Sequence, residues 1–294
     1  MNLRYLAGLG ALGVGWGATQ PMGKMATATG HPPFGLIFWQ LVICVLVLGA
    51  ITLARGKGLP LHRRALGFYV VVAILGTLIP NATFYTSVAR LPAGIMSILI
   101  STVPMMAFAL SLLLGMDQFS VKRLIGLGFG LAGVAVIAAP GASLPEVAMV
   151  AFLPLAMVGP LFYALEGTFV ARYGTAGMDP LQAMFGASVA GLVFCLPITL
   201  ALGQWISPLP PYGRPEYALM LSSAMHGLLY SGYVFLAARA GAVFAAQSSY
   251  IVTGSGVIWA MVWLGERLSP WVWLALALLL AGLTLVQPRV RTAR

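Results

Sequence analysis

The chain has 294 residues, of which 60% are apolar and only 7% are charged, whereas an ordinary soluble domain is about 25% charged. So few charged residues cannot cover a surface that faces water. The net charge of +10 is compatible with nucleic-acid binding, but the basic residues stand singly or in small groups between apolar runs. Orientation in a membrane explains that arrangement better than a nucleic-acid partner does.

Runs that lack Asp, Glu, Lys and Arg divide the chain into segments of membrane-spanning length. A bilayer core of about 30 Å needs roughly 20 apolar residues in a helix. The runs of 18 or more residues number ten: 5–23, 25–54, 65–89, 91–116, 124–145, 147–165, 180–213, 217–238, 240–265 and 268–288. Because stretches such as 274–286 do not alternate polar and apolar residues, barrel strands are excluded and an all-α protein of ten transmembrane helices is predicted.

The basic residues are unevenly divided between the two sides of these predicted helices. If the N-terminus is inside, 12 of the 16 Lys and Arg residues lie on cytoplasmic segments and 4 lie on the opposite side. This bias predicts a multi-pass protein of the cytoplasmic (inner) membrane with both termini in the cytoplasm. The first run follows Arg4 as in a signal peptide, but it has no clean small-residue cleavage site, so we predict an uncleaved first span.

Residues for catalysis or metal binding are scarce. The histidines are at 31, 62 and 226 without an HExxH motif, and no Gly-x-Ser-Gly tetrapeptide supplies a protease nucleophile. Cys44 and Cys195 lie in the middle of apolar runs, which indicates packed thiols rather than a disulfide. We therefore expect no enzyme, no cofactor and no metal; a channel or a receptor-like unit stays an alternative, although neither a pore loop nor an output domain is evident.

Glycine recurs at short intervals in two stretches, 8–17 and 126–133. Neither stretch has the Lys or Ser/Thr of a phosphate-binding loop, nor a preceding strand. Small residues at such intervals let membrane helices approach closely, so we predict helix contacts there.

The two halves of the chain match at an offset of 149 residues. This offset aligns Arg90 with Arg239, Asp117 with Glu266, Ser120 with Ser269, and Ala132-Gly133 with Ala281-Gly282. Chance similarity of apolar helices is the alternative, but one order at one offset favours a duplication. We predict two repeats, 1–144 and 145–294, of five helices each. An odd number inverts the second copy, and such inverted repeats hold the substrate between them near the middle of the membrane.

Four stretches carry a family resemblance: WGATQPMGK at 16–24, the segment 84–120 that begins FYTSVARLPAG, GLGFGLAGVAVI at 126–137, and LGERLSPWVWLALALLLAGLTLV at 264–286. In order and spacing the chain resembles the ten-helix EamA-type exporters of the drug/metabolite transporter superfamily. The resemblance implies a carrier that exports amino acids or similar small metabolites. It departs at Met116-Asp117, where such proteins usually have Gly-Glu as at Gly265-Glu266; this acidic position at a helix end looks structural.

Polar residues inside the predicted spans indicate the substrate path, because a polar group in lipid is costly unless it faces a cavity or a partner. Thr77, Asn81 and Tyr85 recur every four residues on one helical face. His226 and Tyr230 have the same spacing, and the offset of 149 aligns Thr77 with His226 and Asn81 with Tyr230. We predict that the two faces line one central cavity.

The other candidate substrate-binding residues come from the first, fourth, sixth and ninth predicted spans. Serines in membrane helices often bond to their own backbone instead. The sixth span, which continues past its uncharged run, holds an acidic residue that either pairs with Arg172 at the interface or binds a substrate amine or a proton. These candidates are Trp16, Gln20, Ser97, Ser101, Tyr163, Glu166, Gln247 and Tyr250.

A zwitterion such as an amino acid needs hydrogen-bond donors for its carboxylate and an acceptor for its ammonium group. Together, these donors and the acceptor can come from Asn81, Tyr85, His226, Gln247 and Glu166. We predict a secondary carrier that exports amino acids by alternating access and functions as a monomer in the lipid bilayer. Export of drugs or other metabolites is the alternative, although the lack of an intramembrane acidic cluster argues against strongly cationic drugs as sole substrates.

Overall fold

The chain folds into successive helices joined by short connections. A computed structural model describes residues 3–139, 144, 146–240 and 247–286, and these residues contain helices and turns but no β-strand. Each uncharged run corresponds to one helix, although several helices extend beyond their run. In chain order the helices are α1 (Leu3–Ala26), α2 (Pro33–Ala54), α3 (Arg63–Val88), α4 (Ala93–Leu113), α5 (Val121–Ala138), α6 (Val147–Tyr173), α7 (Pro180–Ala201), α8 (Arg214–Ala240), α9 (Ser248–Leu264) and α10 (Pro270–Val286).

Helices α2 to α7 are long and apolar enough to cross a membrane. Helices α9 and α10 are also apolar but shorter, at 17 residues each. Helices α1 and α8 are long enough to cross a membrane but are less apolar. They carry the predicted site residues Trp16, Gln20, His226 and Tyr230. The all-helical class is confirmed for the described residues, whereas the exact number of spans stays a prediction.

The two halves of the chain pack in equivalent ways. If each of α1 to α5 is matched with the helix five places later, the contacts of one half correspond to those of the other. Helix α1 packs on α8 and α9, as α6 packs on α3 and α4, and α2 packs on α8 as α7 packs on α3. The pairs α2–α7, α4–α9 and α5–α10 map onto themselves. This pattern fits a two-repeat architecture. The inverted orientation stays a prediction, as does the boundary in 140–145, where only Leu144 is described; the Arg239 side chain and residues 287–294 lie outside the described part.

Helix α3 is interrupted by a π turn at Ile74–Leu78, where the N–H of Ile79 donates to the carbonyl of Ile74. Pro80 lies two residues after the end of this turn. Proline has no N–H for the carbonyl four residues earlier, which here belongs to Gly76, and its ring would collide with that carbonyl in a regular helix. The π turn accommodates the proline, and such turns are frequent at functional sites.

The start of α4 is held by polar contacts from distant parts of the chain. The N–H of Ala93 donates to Oε1 of Glu266 (2.6 Å), and the N–H of Gly94 donates to Oε2 (2.9 Å). Lys24 Nζ donates to the carbonyl of Leu91 (2.5 Å) just before the helix. A carboxylate satisfies the free amides of a helix N-terminus and interacts favourably with its dipole. Glu266 therefore has a structural role here.

Polar contacts also join the two halves of the chain at two further places. Between α6 and α7, Asp179 accepts hydrogen bonds from Lys57 Nζ (2.5 Å) and Arg55 Nη1 (3.4 Å) of the α2–α3 loop. His31, between α1 and α2, contacts Glu216 in the first turn of α8 through Nε2 and Oε1 (2.7 Å). The helices that enclose the polar residues are thus connected at their ends.

Candidate substrate site

A central cavity lies among α2, α3, α7 and α8. Thr77 and Asn81 of α3 line it together with His226 and Tyr230 of α8, so these four predicted residues meet at one place. Two of the four helices belong to each half of the chain. The other lining residues are Gln40, Leu41, Cys44, Leu48, Met184, Ser188 and Gly227.

Asn81 belongs to a chain of buried hydrogen bonds beside this cavity. Oε1 of Gln40 accepts from the Tyr85 hydroxyl (2.9 Å) and from Nδ2 of Asn81 (3.3 Å), and the Tyr163 hydroxyl donates to Oδ1 of Asn81 (3.3 Å). Both amides are therefore fixed in orientation. Tyr85, only 4% exposed, does not line the cavity; it holds Gln40, whose own NH₂ stays available to a ligand.

Gln40 also lines this cavity, although the sequence did not identify it as a candidate. It lies on α2, which supplied none of the candidates, and it joins Asn81 to Tyr85. One signal was present: Gln40 is the only Gln or Asn in the uncharged run 25–54. A lone amide in an apolar span is costly unless it faces a partner or a cavity.

Trp16 of α1 packs against the α8 side of the cavity. Its indole N–H donates to Nδ1 of His226 at 3.5 Å, and its ring makes edge-to-face contacts with His226, Tyr230 and Tyr233, with centroids 5.8 to 6.5 Å apart. In a neutral imidazole, a nitrogen that accepts leaves the proton on the other nitrogen. In the neutral ring, Nε2 of His226 thus carries the proton and can donate a hydrogen bond.

Gln20 lies at a second, more apolar cavity among α1, α3, α4 and α6. Tyr163 lines this second cavity too, and its hydroxyl reaches Asn81 at the first. The Tyr163–Asn81 hydrogen bond therefore separates the two cavities.

The Glu166 side chain, on α6, is half-buried against the π turn of α3. A Cβ placed on Gly76 would lie 2.6 to 2.7 Å from the three carboxylate atoms. Among the described residues Glu166 has no hydrogen bond and no ion pair, and Arg172 lies over the ring of Tyr173, 5.7 Å from its centroid. The interfacial pair with Arg172 that we considered is not formed in this structure.

The remaining candidates lie away from the central cavity. Ser97 and Ser101 are fully buried and donate to carbonyls of their own helix at 2.9 and 2.7 Å. Gln247 is exposed immediately before α9, and Tyr250 packs against the apolar core around α4. In this conformation none of the four reaches the residues around Asn81.

The central cavity is narrow in this conformation, with room for about one water molecule. A ligand the size of an amino acid enters only if the surrounding helices move apart. No group of three or more His, Cys, Asp or Glu side chains suited to a metal ion occurs in the described part of the chain.

Comparisons with known proteins agree with this architecture. The model of the EamA-like transporter family matches the chain twice, at 5–139 and at 151–287. The chain is 30% identical over 204 residues to the probable terminal-alkyne amino-acid exporter of Streptantibioticus cattleyicolor, covering 68% of this chain and 66% of that protein, just under two thirds. It is 24% identical over 290 residues to the uncharacterized inner membrane transporter YedA of Escherichia coli, covering 97% of this chain and 90% of YedA.

A solved crystal structure superposes on 95% of this chain and 95% of its own, with a TM-score of 0.65 and 16% sequence identity. At this identity the likeness concerns the fold alone.

Proposed function

Because the chain belongs to the EamA-like transporter family, we propose that it exports amino acids, or metabolites of similar size and charge, from the cytoplasm through the inner membrane. The observation that carries the proposal is the shared cavity. Thr77 and Asn81 of one half meet His226 and Tyr230 of the other, at positions that correspond in the duplicated sequence. Polar groups held between two repeats are typical of the substrate sites of secondary transporters.

Transport then proceeds by alternating access. The cavity is too narrow for a substrate while all four surrounding helices are in contact, so the two halves separate first at one membrane face and then at the other. The symmetric helix pairing supports such a motion, because equivalent contacts are present on both sides of the cavity. Each half of the chain contributes two of the four helices around the cavity, so the carrier that we propose acts as a monomer.

The cavity offers donors for a carboxylate. Nε2 of His226 and the NH₂ of Gln40 are both oriented by hydrogen bonds at their other atoms. Apolar side chains such as Leu41, Leu48 and Met184 form the rest of the wall. Fixed polar groups form hydrogen bonds with the charged ends of a ligand, whereas an apolar wall accommodates ligand side chains of different shape. We therefore expect broad specificity among amino acids.

Export of drugs or other metabolites is the second candidate. It would suit the apolar second cavity beside Gln20 and Tyr163. The two candidates differ in what they require of the ligand: a zwitterion uses the donors at His226 and Gln40, whereas an uncharged or cationic drug does not.

Purified protein in liposomes tests the proposal. We expect uptake of labelled amino acids above protein-free liposomes and no uptake of sugars or cationic dyes. The same panel should be run with His226→Ala and, as a matched control, with Leu228→Ala, whose side chain is 51% exposed on the same helix. Uptake of dyes but of no amino acid would establish the second candidate instead.

A further inference from the structure

We propose that Glu166 and the π turn of α3 around Gly76 bind the ammonium group of the substrate and so select amines over otherwise identical molecules that lack one. This inference rests on the proposed function. It places the ammonium group of the substrate at Glu166 and the carboxylate at His226 and Gln40.

The position of Glu166 in the chain is unlike that of the other acidic residues. The chain has six Asp and Glu residues. Asp117, Glu146, Asp179 and Glu266 lie outside the helices and Glu216 lies in the first turn of α8, whereas Glu166 is well inside α6. An ionisable group inside a membrane helix is costly and is usually retained for a functional partner.

The Glu166 carboxylate fits against α3 because the residue that it faces there, Gly76, has no side chain. Any residue other than glycine at 76 would place its Cβ 2.6 to 2.7 Å from the carboxylate, closer than non-bonded atoms approach. The π turn widens α3 at the same point. The carboxylate therefore lies directly against the backbone of α3, next to Thr77, whose side chain lines the central cavity.

The π turn beside Glu166 has groups that can act as acceptors. Pro80 cannot donate to the carbonyl of Gly76, and the hydroxyl of Thr77 can accept a hydrogen bond. Among the described residues no donor and no cation satisfies the Glu166 carboxylate. Interrupted helices with free carbonyls bind cations in many membrane carriers. A primary ammonium group has three donors and a positive charge, which matches this set of acceptors.

Helix α6 also connects Glu166 to the central cavity. Tyr163 lies three residues before Glu166 on the same face of α6 and bonds to Asn81, and Tyr230 lines the cavity itself. A ligand between His226 and Thr77 can therefore direct its amine toward Glu166 while its carboxylate meets the donors at the other end.

The test compares the binding of L-leucine, L-phenylalanine and L-threonine with that of their hydroxy-acid analogues, in which a hydroxyl replaces the amine. Dissociation constants are measured on purified wild-type protein and on Glu166→Gln. A hydrogen bond to a charged group contributes about 1.5 to 3 kcal/mol, or roughly tenfold to a hundredfold in affinity. We expect wild type to prefer the amines by that factor. Glu166→Gln should lose the preference by weakening amine binding alone.

Gly76→Ala tests the same site without changing its charge. Its new Cβ displaces the carboxylate, so we expect the amine preference to fall. Gly67→Ala is the matched control, because it lies on the same helix and a Cβ there would meet nothing within 4 Å. Glu166→Asp, which keeps the charge, should retain part of the preference, and a folded Glu166→Asp protein guards against the case in which Glu166→Gln does not fold.

The outcomes separate this inference from the function on which it rests. If the wild type binds none of the three amino acids, both fail. If it binds them but prefers no amine, or if the preference persists in Glu166→Gln and Gly76→Ala, only the inference fails. An equal loss of affinity for both ligand classes in Glu166→Gln also overturns it, because that result indicates a general role such as proton coupling.

Discussion

At the scale of single residues, the hydrogen bonds around the central cavity determine what a ligand would gain there. In the proposed site, removing His226 or Asn81 takes away a group that binds or orients a charged end of the substrate. Each such bond contributes about 1.5 to 3 kcal/mol, so His226→Ala and Asn81→Ala should weaken substrate affinity roughly tenfold to a hundredfold. Uptake as a function of substrate concentration in liposomes measures the effect.

The control for both variants is Leu228→Ala, which shortens an exposed side chain on α8 without touching the cavity. It should transport with wild-type affinity. The proposed site is wrong if His226→Ala and Asn81→Ala, recovered as folded protein, both match Leu228→Ala.

Asp179 gives a pH-dependent contribution to stability at the loop between α6 and α7. Partial burial raises the pKa of its carboxyl, but the hydrogen bond from Lys57, the N–H of Gln182 and the charge of Arg55 outweigh burial and hold the pKa below its usual value. A lowered pKa stabilises the folded protein above the unfolded-state pKa of about 3.9, and this contribution is lost as pH falls through the folded-state pKa.

Asp179→Asn isolates that contribution, because Asn caps a helix about as well as Asp but carries no charge. The basic partners are about 40% exposed, so we expect the variant to be less stable by about 0.2 to 1 kcal/mol at neutral pH. Thermal unfolding in detergent should show this difference shrinking as pH falls below about 4. A difference that stays constant down to low pH would contradict the assignment.

Aligning the two halves of the sequence predicted those cavity residues that are polar in both halves. It did not predict Gln40, because the offset of 149 aligns Gln40 with the apolar Val189. Tyr85 shares the four-residue spacing of Thr77 and Asn81, but each step of four drifts about 40° around a helix of 3.6 residues per turn. After two steps its side chain has turned from the cavity toward Gln40.

At the scale of helices, glycine sets how closely α5 and α10 approach. A Cβ on Gly126 would lie 2.7 Å from the carbonyl oxygen of Gly282, and a Cβ on Gly282 would lie 2.6 Å from that of Gly126. A backbone oxygen cannot move aside as a flexible side chain can, so Gly126→Ala forces the helices apart. Overpacking costs about 1 to 3 kcal/mol, which a lowered unfolding temperature in detergent should reveal.

Gly128→Ala is the comparison for this variant. It lies two residues away on the same helix, and a Cβ there would meet nothing within 4 Å. Both substitutions improve helix propensity equally, so the difference between them reports the contact alone. Equal stabilities would show that α5 and α10 are not in close contact at this point.

The existence of the helices could be predicted from charge placement, but their ends and interruptions could not. The uncharged run 180–213 extends well beyond α7, which ends at Ala201 because Gly203 and several prolines follow. Charge marks where a membrane segment must end, whereas helix termination depends on backbone conformation. The close approach of Gly76 in the π turn of α3 to Glu166 of another helix is likewise contained in no local pattern.

At the scale of the whole molecule, the arrangement of the helices in the membrane can be tested at the two ends of α7. Gly174 precedes α7 and Gly203 follows it, and both have positive φ angles in turns. If all ten helices span the membrane with the N-terminus inside, a reporter fused after Gly174 reads cytoplasmic and one fused after Gly203 reads external. Both reporters on one side would overturn the predicted count and, with it, the inverted orientation of the two halves.

The hydrogen-bonded amides beside the cavity have a consequence for how the protein is made. Gln40, Asn81 and Tyr85 all belong to the first three helices and satisfy one another, whereas His226 and Tyr230 emerge from the ribosome much later. A lone Gln or Asn in lipid is penalised, but a bonded pair on adjacent helices is far less so. We therefore expect α2 and α3 to enter the bilayer as a partnered unit during synthesis, before the second half exists to cover them.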